Sequence, residues 1–124
     1  MKIAYLIDTN IFILLFNNRL QEPIPEGELS YSVITEIELL SFPNLSKEDE
    51  ALIQQHLTLL QRVAIDREVA QKTILLRRKY RLKTPDAIIA ASAWVMSAVL
   101  LTNDQKLNNV SEIHTKSLAL KEES

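Results

Sequence analysis

The chain has 124 residues, the usual size of one domain, and 47% of them are hydrophobic, enough for a core and against long-range disorder. The formal net charge is −2 and the pI about 5.7, so no global field attracts nucleic acid; such a function would need a local basic patch or a metal. Cysteine is absent, which removes disulfides and thiolate metal sites and fits a reducing cytoplasm, and no apolar run reaches the length of a membrane span.

"MKIAYLID" has one Lys, then an acid, and no small-residue cleavage site, so it does not read as a signal peptide. With no repeat or linker, residues 1–124 are expected to form a single domain. One Gly and four Pro leave few chain breakers, which predicts long helices. "KIAYLID" reads as a short strand buried on both faces. "TNIFILLFNN" is expected to be helical, "EPIPEGE" a loop, "LSYSV" a second strand and "ITEIELLSF" a helix stopped by Pro43. "NLSKEDEALIQQHLTLLQ" opens on Ser46 with Asp49 three residues on, a capping pattern, and Leu52, Ile53, Leu57 and Leu60 recur at helical spacing. "RVAID" predicts a third strand and "REVAQKTILLRRKYR" a helix. "TPDAIIAASAWVMS" predicts a helix capped by Thr84, with Pro85 at its first position. "AVLLT" is a fourth strand, "EIHTKSL" an edge strand, and "KEES" is expected to fray. Alternation of this kind predicts an α/β fold, a mainly parallel sheet covered by helices on both faces, with functional groups outside the carboxyl ends of the strands.

Three acids fall on that rim. Asp8 ends the first strand, Asp104 follows the fourth, and Asp86 lies in the first turn of the helix that starts at Pro85. Each alone has a structural reading, as a helix cap, a dipole partner or a turn residue. Together they repel one another, and such a cluster is tolerable only with a cation. Oxygen donors without Cys or His suit Mg²⁺ or Mn²⁺, which can activate water and brace a phosphodiester under attack. The "ITEIELL" helix adds Glu36 and Glu38, about 200° apart on the helix, so both cannot face one ion. Both flank the stripe of Val33, Ile34, Ile37 and Leu40, and the helical wheel does not choose between them.

The stretches "YLIDTNIFILL", "SVITEIELLSFP", "TPDAIIAASA" and "LLTNDQKL", in this order, resemble the PIN domain, and within it the VapC-like ribonuclease toxins of toxin–antitoxin pairs. The resemblance covers nearly the full length. It implies a three-layer α/β/α sandwich and a Mg²⁺- or Mn²⁺-dependent endoribonuclease whose products carry 5′-phosphate and 3′-hydroxyl ends. It places the family's four acids on Asp8, Glu38, Asp86 and Asp104 as catalytic and metal-binding residues, with Asn10 and Thr102 in support. Glu36 is then expected to face solvent or a partner. An RNA substrate, a silencing antitoxin and a homodimer or higher oligomer are implied as partners. The broad apolar faces of "IFILLF" and "EALIQQHLTLL" are candidates for the protein contacts, and Trp94 is expected in the core or against a partner.

"RRKYRLK" carries five cations in seven positions, just before Asp86. It is either a solvated helix end or an RNA-binding patch of Arg77, Arg78, Arg81 and Lys83, with Tyr80 available to stack. A metal-free ribonuclease would want two histidines as acid and base, and His56 and His114 lie in segments that suit neither role. Other readings are an RNA-processing nuclease without a toxin role, told apart by the absence of a neighbouring antitoxin gene, and a non-catalytic RNA- or protein-binding module, which has no reason to tolerate the acid repulsion. Phosphoacceptor signalling would want a Lys at a strand end, and "LLTND" has none.

Overall fold

The computed structural model describes residues 2–122. Among them, five parallel strands form one sheet: β1 (Ala4–Ile7), β2 (Glu28–Ser32), β3 (Gln61–Val63), β4 (Val99–Leu101) and β5 (Thr115–Lys116). The helices are α1 (Thr9–Phe16), α2 (Val33–Leu40), α3 (Lys47–Thr58), α4 (Arg67–Tyr80), α5 (Thr84–Met96) and α6 (Gln105–Asn108). Strand order is β3-β2-β1-β4-β5. The chain starts in the middle, builds outward through β2 and β3, then returns to the other side of β1. The carboxyl ends of β1 and β4 therefore flank the point where the winding direction reverses, which is where parallel sheets open a crevice.

Strand alternation makes the three layers. Leu6 and Leu100 point into one core, with Val69 and Leu76 of α4 and Ala87, Ile89, Ala90 and Ala91 of α5. Tyr5, Ile7 and Leu101 point into the other, with Ile11 and Phe12 of α1, Leu39 of α2 and Ile53 and Leu57 of α3. The small residues of α5 let it lie close on the sheet, so the helix is buried over most of its length. Leu118 also reaches a core, and the chain after it returns antiparallel past residues 19–21.

Several local expectations shift. Ser46 caps α3 as predicted, accepting the Asp49 N–H at 3.0 Å. Thr84 does not cap α5: it is the first helical residue, Lys83 holds the cap position without a side-chain bond, and Pro85 follows within the first turn, where no N–H is needed. The third strand ends at Val63, and Asp66 instead caps α4 through the Val69 N–H. In "KEES", Lys121 does not fray: its N–H donates to the Arg19 carbonyl at 2.8 Å and its Nζ to Asn18, while Glu123 and Ser124 lie outside the described residues. The stripe read on α2 is rotated. Thr35 and Leu39 are its buried residues, and Ile37 is 52% exposed.

Gly27 leads into β2 at φ 157°, and a Cβ there would lie 2.3 Å from the Ile3 carbonyl oxygen. That oxygen accepts the Glu28 N–H at 2.9 Å, the first rung of the β1–β2 pairing. Gly27→Ala is expected to destabilise the fold by roughly 2–4 kcal/mol in urea unfolding. A variant as stable as wild type would contradict this account of the start of the β1–β2 pairing.

Candidate functional site

Asp8 sits at the amino-terminal cap position of α1, yet its side chain makes no capping bond. Asp8 is 5% exposed. Its Oδ2 accepts the Thr102 hydroxyl at 2.7 Å, from the end of neighbouring β4. Thr102 is itself fully buried, and its Oγ1 accepts the Asp104 N–H at 3.1 Å. One hydroxyl thus links the acid at the end of β1 to the segment carrying the acid after β4. The Asp8 N–H donates to the Leu101 carbonyl, which extends the strand pairing to the acid itself.

A second chain of hydroxyls reaches Glu38. Thr9 Oγ1 donates to Glu38 Oε1 at 2.7 Å and lies 2.8 Å from Thr35 Oγ1. Since the one Thr9 proton goes to Glu38, Thr35 is the donor to Thr9. This pair explains the rotation of α2: burying Thr35 against Thr9 turns Glu38 toward the β1 end. Glu36 points elsewhere. It pairs with Arg62 at 3.3 Å on the β3 side, and after burial it is the next cause of the raised Tyr31 pKa. Thr9 and Thr35 were not singled out in the sequence, although "DTN" and "SVITE" display them beside the acids.

The acids feel one another. Burial, above all, pushes Asp8 up from 3.8 to about 6; the Thr102 hydroxyl opposes it, and Asp86 and Asp104 add repulsion. Asp86 is raised by burial and then by Asp104, against the pull of Lys106 and Lys83. The structure therefore brings Asp8, Asp86 and Asp104 within electrostatic reach of each other, with Glu38 attached through Thr9. It does not draw the carboxylates tight. Asp104 Oδ1 accepts the Lys106 N–H as the cap of α6, and Glu38 is held by Thr9. Among the described residues, no three His, Cys, Asp or Glu form a group that could hold a metal ion as they stand.

The other predicted residues divide. Asn10 is exposed in the first turn of α1. Arg77 Nε donates to the Leu82 carbonyl at 3.2 Å and ties down the α4–α5 turn. Arg78 is exposed on α4, and Arg81 ends α4 in the left-handed conformation, φ 56°. Lys83 precedes Asp86 by one turn, and Lys106, not singled out in the sequence, joins it there from α6. His56 packs edge-on against Phe16, 5.1 Å between ring centroids, and His114 is exposed next to β5. Trp94 is half-buried, with Lys72 Nζ 4.3 Å from its ring. No helix among the described residues is long and apolar enough to cross a membrane.

A raised acid pKa means that the folded state holds the Asp8 proton more tightly than the unfolded chain. Its contribution is present below pH 3.8 and is lost as pH rises through about 6. The difference corresponds to roughly 3 kcal/mol. Metal-free Asp8→Asn should therefore melt higher than wild type at pH 7, and the gap should close between about pH 6 and pH 4. A pH-independent gap, or a less stable variant at pH 7, would contradict the stated environment of Asp8.

Residues 5–113 match the family model of the PIN domain. Among curated proteins no match is found. Solved structures similar to this chain include a toxin–antitoxin complex from Klebsiella pneumoniae, 28% identical at TM-score 0.74, covering 88% of this chain and 94% of that one. VapBC2 from Rickettsia felis, bound to a promoter DNA fragment, is 19% identical at TM-score 0.78 and covers 94% and 100%. VapBC-1 from nontypeable Haemophilus influenzae is 21% identical at TM-score 0.74 and covers 93% and 98%. At those identities the last two speak to the fold, and both agree with the parallel sheet and flanking helices described above. With the family model spanning both the β1 end and the β4 end, this chain belongs to the PIN-domain family.

Proposed function

We propose that the protein is a divalent-metal-dependent endoribonuclease, and the toxin of a toxin–antitoxin pair. The observation that carries the reading is a carboxylate, Asp8, buried at the carboxyl end of the central strand beside Asp86 and Asp104 from two distant segments. No structural gain accounts for that placement, because the neighbours raise the energy of the charged form. The donor set is all oxygen, which fits Mg²⁺ or Mn²⁺. Asp8, Glu38, Asp86 and Asp104 are the residues that would hold such an ion. A bound divalent cation would supply Lewis acidity, acidifying a water and offsetting phosphate charge.

The chain's own residues do the rest. Thr102 fixes the Asp8 carboxylate by its hydroxyl, and Thr9, backed by Thr35, fixes Glu38. Asp104 caps α6 through Oδ1, and its carboxylate would rotate off the Lys106 N–H to join the other acids around an ion. Lys83 and Lys106 lie beside Asp86, where they offset phosphate charge at the edge of the cluster. One carboxylate accepts the proton of the attacking water, and the cut leaves a 5′-phosphate and a 3′-hydroxyl.

The similar toxin–antitoxin complexes support an antitoxin as silencing partner, and with it an oligomeric assembly. An apolar trough of about 310 Å³ between α1, α2 and α3, lined by Phe16, Leu39, Phe42, Leu52 and Ile53, suits an amphipathic helix of that partner.

Incubation with a total RNA pool tests the chemistry. Cleavage should require Mg²⁺ or Mn²⁺, stop with EDTA, resume when Mn²⁺ is added in excess, and fall about a hundredfold or more in Asp104→Asn. Mapped ends should carry 5′-phosphates. Cleavage that survives chelation, or 2′,3′-cyclic phosphate ends, would rule the mechanism out.

A further inference from the structure

Beside the acid cluster lies a cavity of about 360 Å³ lined by Tyr80, Arg81, Leu82, Lys83, Lys106 and Asn109. Its size falls in the usual range of small-ligand sites, roughly 300–1,000 Å³. Its parts come from the α4–α5 turn and from α6, segments more than twenty residues apart. Leu82 is buried and forms the floor. Tyr80 forms a fixed wall: its hydroxyl donates to Glu112 at 2.5 Å and accepts the Ser111 N–H at 3.1 Å, so the ring is held from its far end.

Three cations border this space. Among the described residues, Arg81, Lys83 and Lys106 form no ion pair within 4 Å, although Lys83 and Lys106 act on Asp86 at longer range, whereas Lys79 is held by Glu112 at 3.0 Å and Arg77 by the Leu82 carbonyl. Arg81 occupies the left-handed cap of α4, a position that glycine fills without strain. Lys83 occupies the cap of α5 without capping it. Both positions thus carry a cation that the local backbone does not ask for. Lys106 follows Asp104 by two residues and Lys83 precedes Asp86 by three, so the cavity opens next to the acids. A polyanion entering the acid cluster meets repulsion, and the cations at its edge, two of which already act on Asp86, offset it.

We propose that this cavity is a phosphate subsite, in which Arg81, Lys83, Lys106 and Asn109 hold a backbone phosphate of the RNA strand near the one being cut. The assignment rests on the nuclease reading for its place in the reaction, but it is a statement about binding. A phosphate in the cavity fits the three cations and the Asn109 amide.

The test is binding of a fluorescein-labelled single-stranded RNA, followed by anisotropy in EDTA over a series of salt concentrations. Wild type, Lys106→Gln, the double variant Arg81→Gln/Lys83→Gln, and Lys2→Gln are compared after melts confirm folding. Lys2 lies at the opposite, amino end of β1 and serves as the control. Lys106→Gln should weaken binding roughly three- to tenfold and flatten the slope of log K against log salt by about 0.7, and the double variant by about twice that. Lys2→Gln should match wild type. RNAs with and without a 5′-phosphate should respond alike. Slopes unchanged in both cavity variants would overturn the subsite, and an effect confined to 5′-phosphorylated RNA would overturn its assignment to the strand interior. A parallel Mn²⁺ cleavage arm separates the two claims: salt slopes that fall as stated in a protein that cuts no RNA leave the binding site standing and remove only the nuclease reading.

Discussion

The rest of the site depends on one unfavourable arrangement, the burial of the Asp8 charge among other acids. Water would solvate a carboxylate at a strand end, and here the sheet, α1 and Thr102 exclude most of it. The result is an acid pushed up to about 6, with burial as the main cause and its acidic neighbours adding to it. Proteins keep such groups where the surrounding structure over-determines them and where a ligand makes the charge useful. Hydroxyls are the means used here. A threonine donates one proton and accepts others, so it can hold a carboxylate in place without neutralising it. Thr102 and Thr9 do this for Asp8 and Glu38; in the chain Thr9 follows Asp8 directly and Thr102 precedes Asp104 by two residues.

The topology makes the convergence possible. Asp8 and Asp104 are ninety-six positions apart in sequence, yet β1 and β4 are hydrogen-bonded neighbours, with Ile7 opposite Leu101. Asp86 arrives from the amino end of α5, which packs on β1 through its alanines. Extra volume in that helix would lift it from the sheet and carry Asp86 away from its partners. Core packing and site geometry are therefore coupled.

Much of this was legible in the sequence, for physical reasons. Continuous apolar runs such as "AYLI" and "VLL" identify strands buried on both faces, and a polar residue directly after such a run must lie on the sheet rim. That places Asp8 directly, and Thr102 with Asp104 two residues beyond it. The Ser46 cap was legible because its chemistry is local. The orientation of α2 was not, because hydrophobic periodicity assigns the buried face to Val33, Ile34, Ile37 and Leu40, and the helix instead buries a hydroxyl, Thr35, with its partner twenty-six residues away. Thr84 read as a cap because Pro is accepted at either of the first two helical positions, and the helix starts one residue earlier than expected, with Lys83 at the cap. The run "RRKYRLK" read either as a solvated helix end or as one basic patch. Its division into structural cations and cavity-lining ones depends on Glu112 and the Leu82 carbonyl, which sequence alone does not bring to them.

The most direct measurement is anomalous diffraction from crystals grown with Mn²⁺. The account predicts a peak between Asp8, Asp86 and Asp104, with carboxylate oxygens within about 2.3 Å of it and Asp104 rotated away from the Lys106 N–H. A crystal saturated with Mn²⁺ that shows the ion elsewhere, or no ion at all, with the three carboxylates still apart, would contradict it.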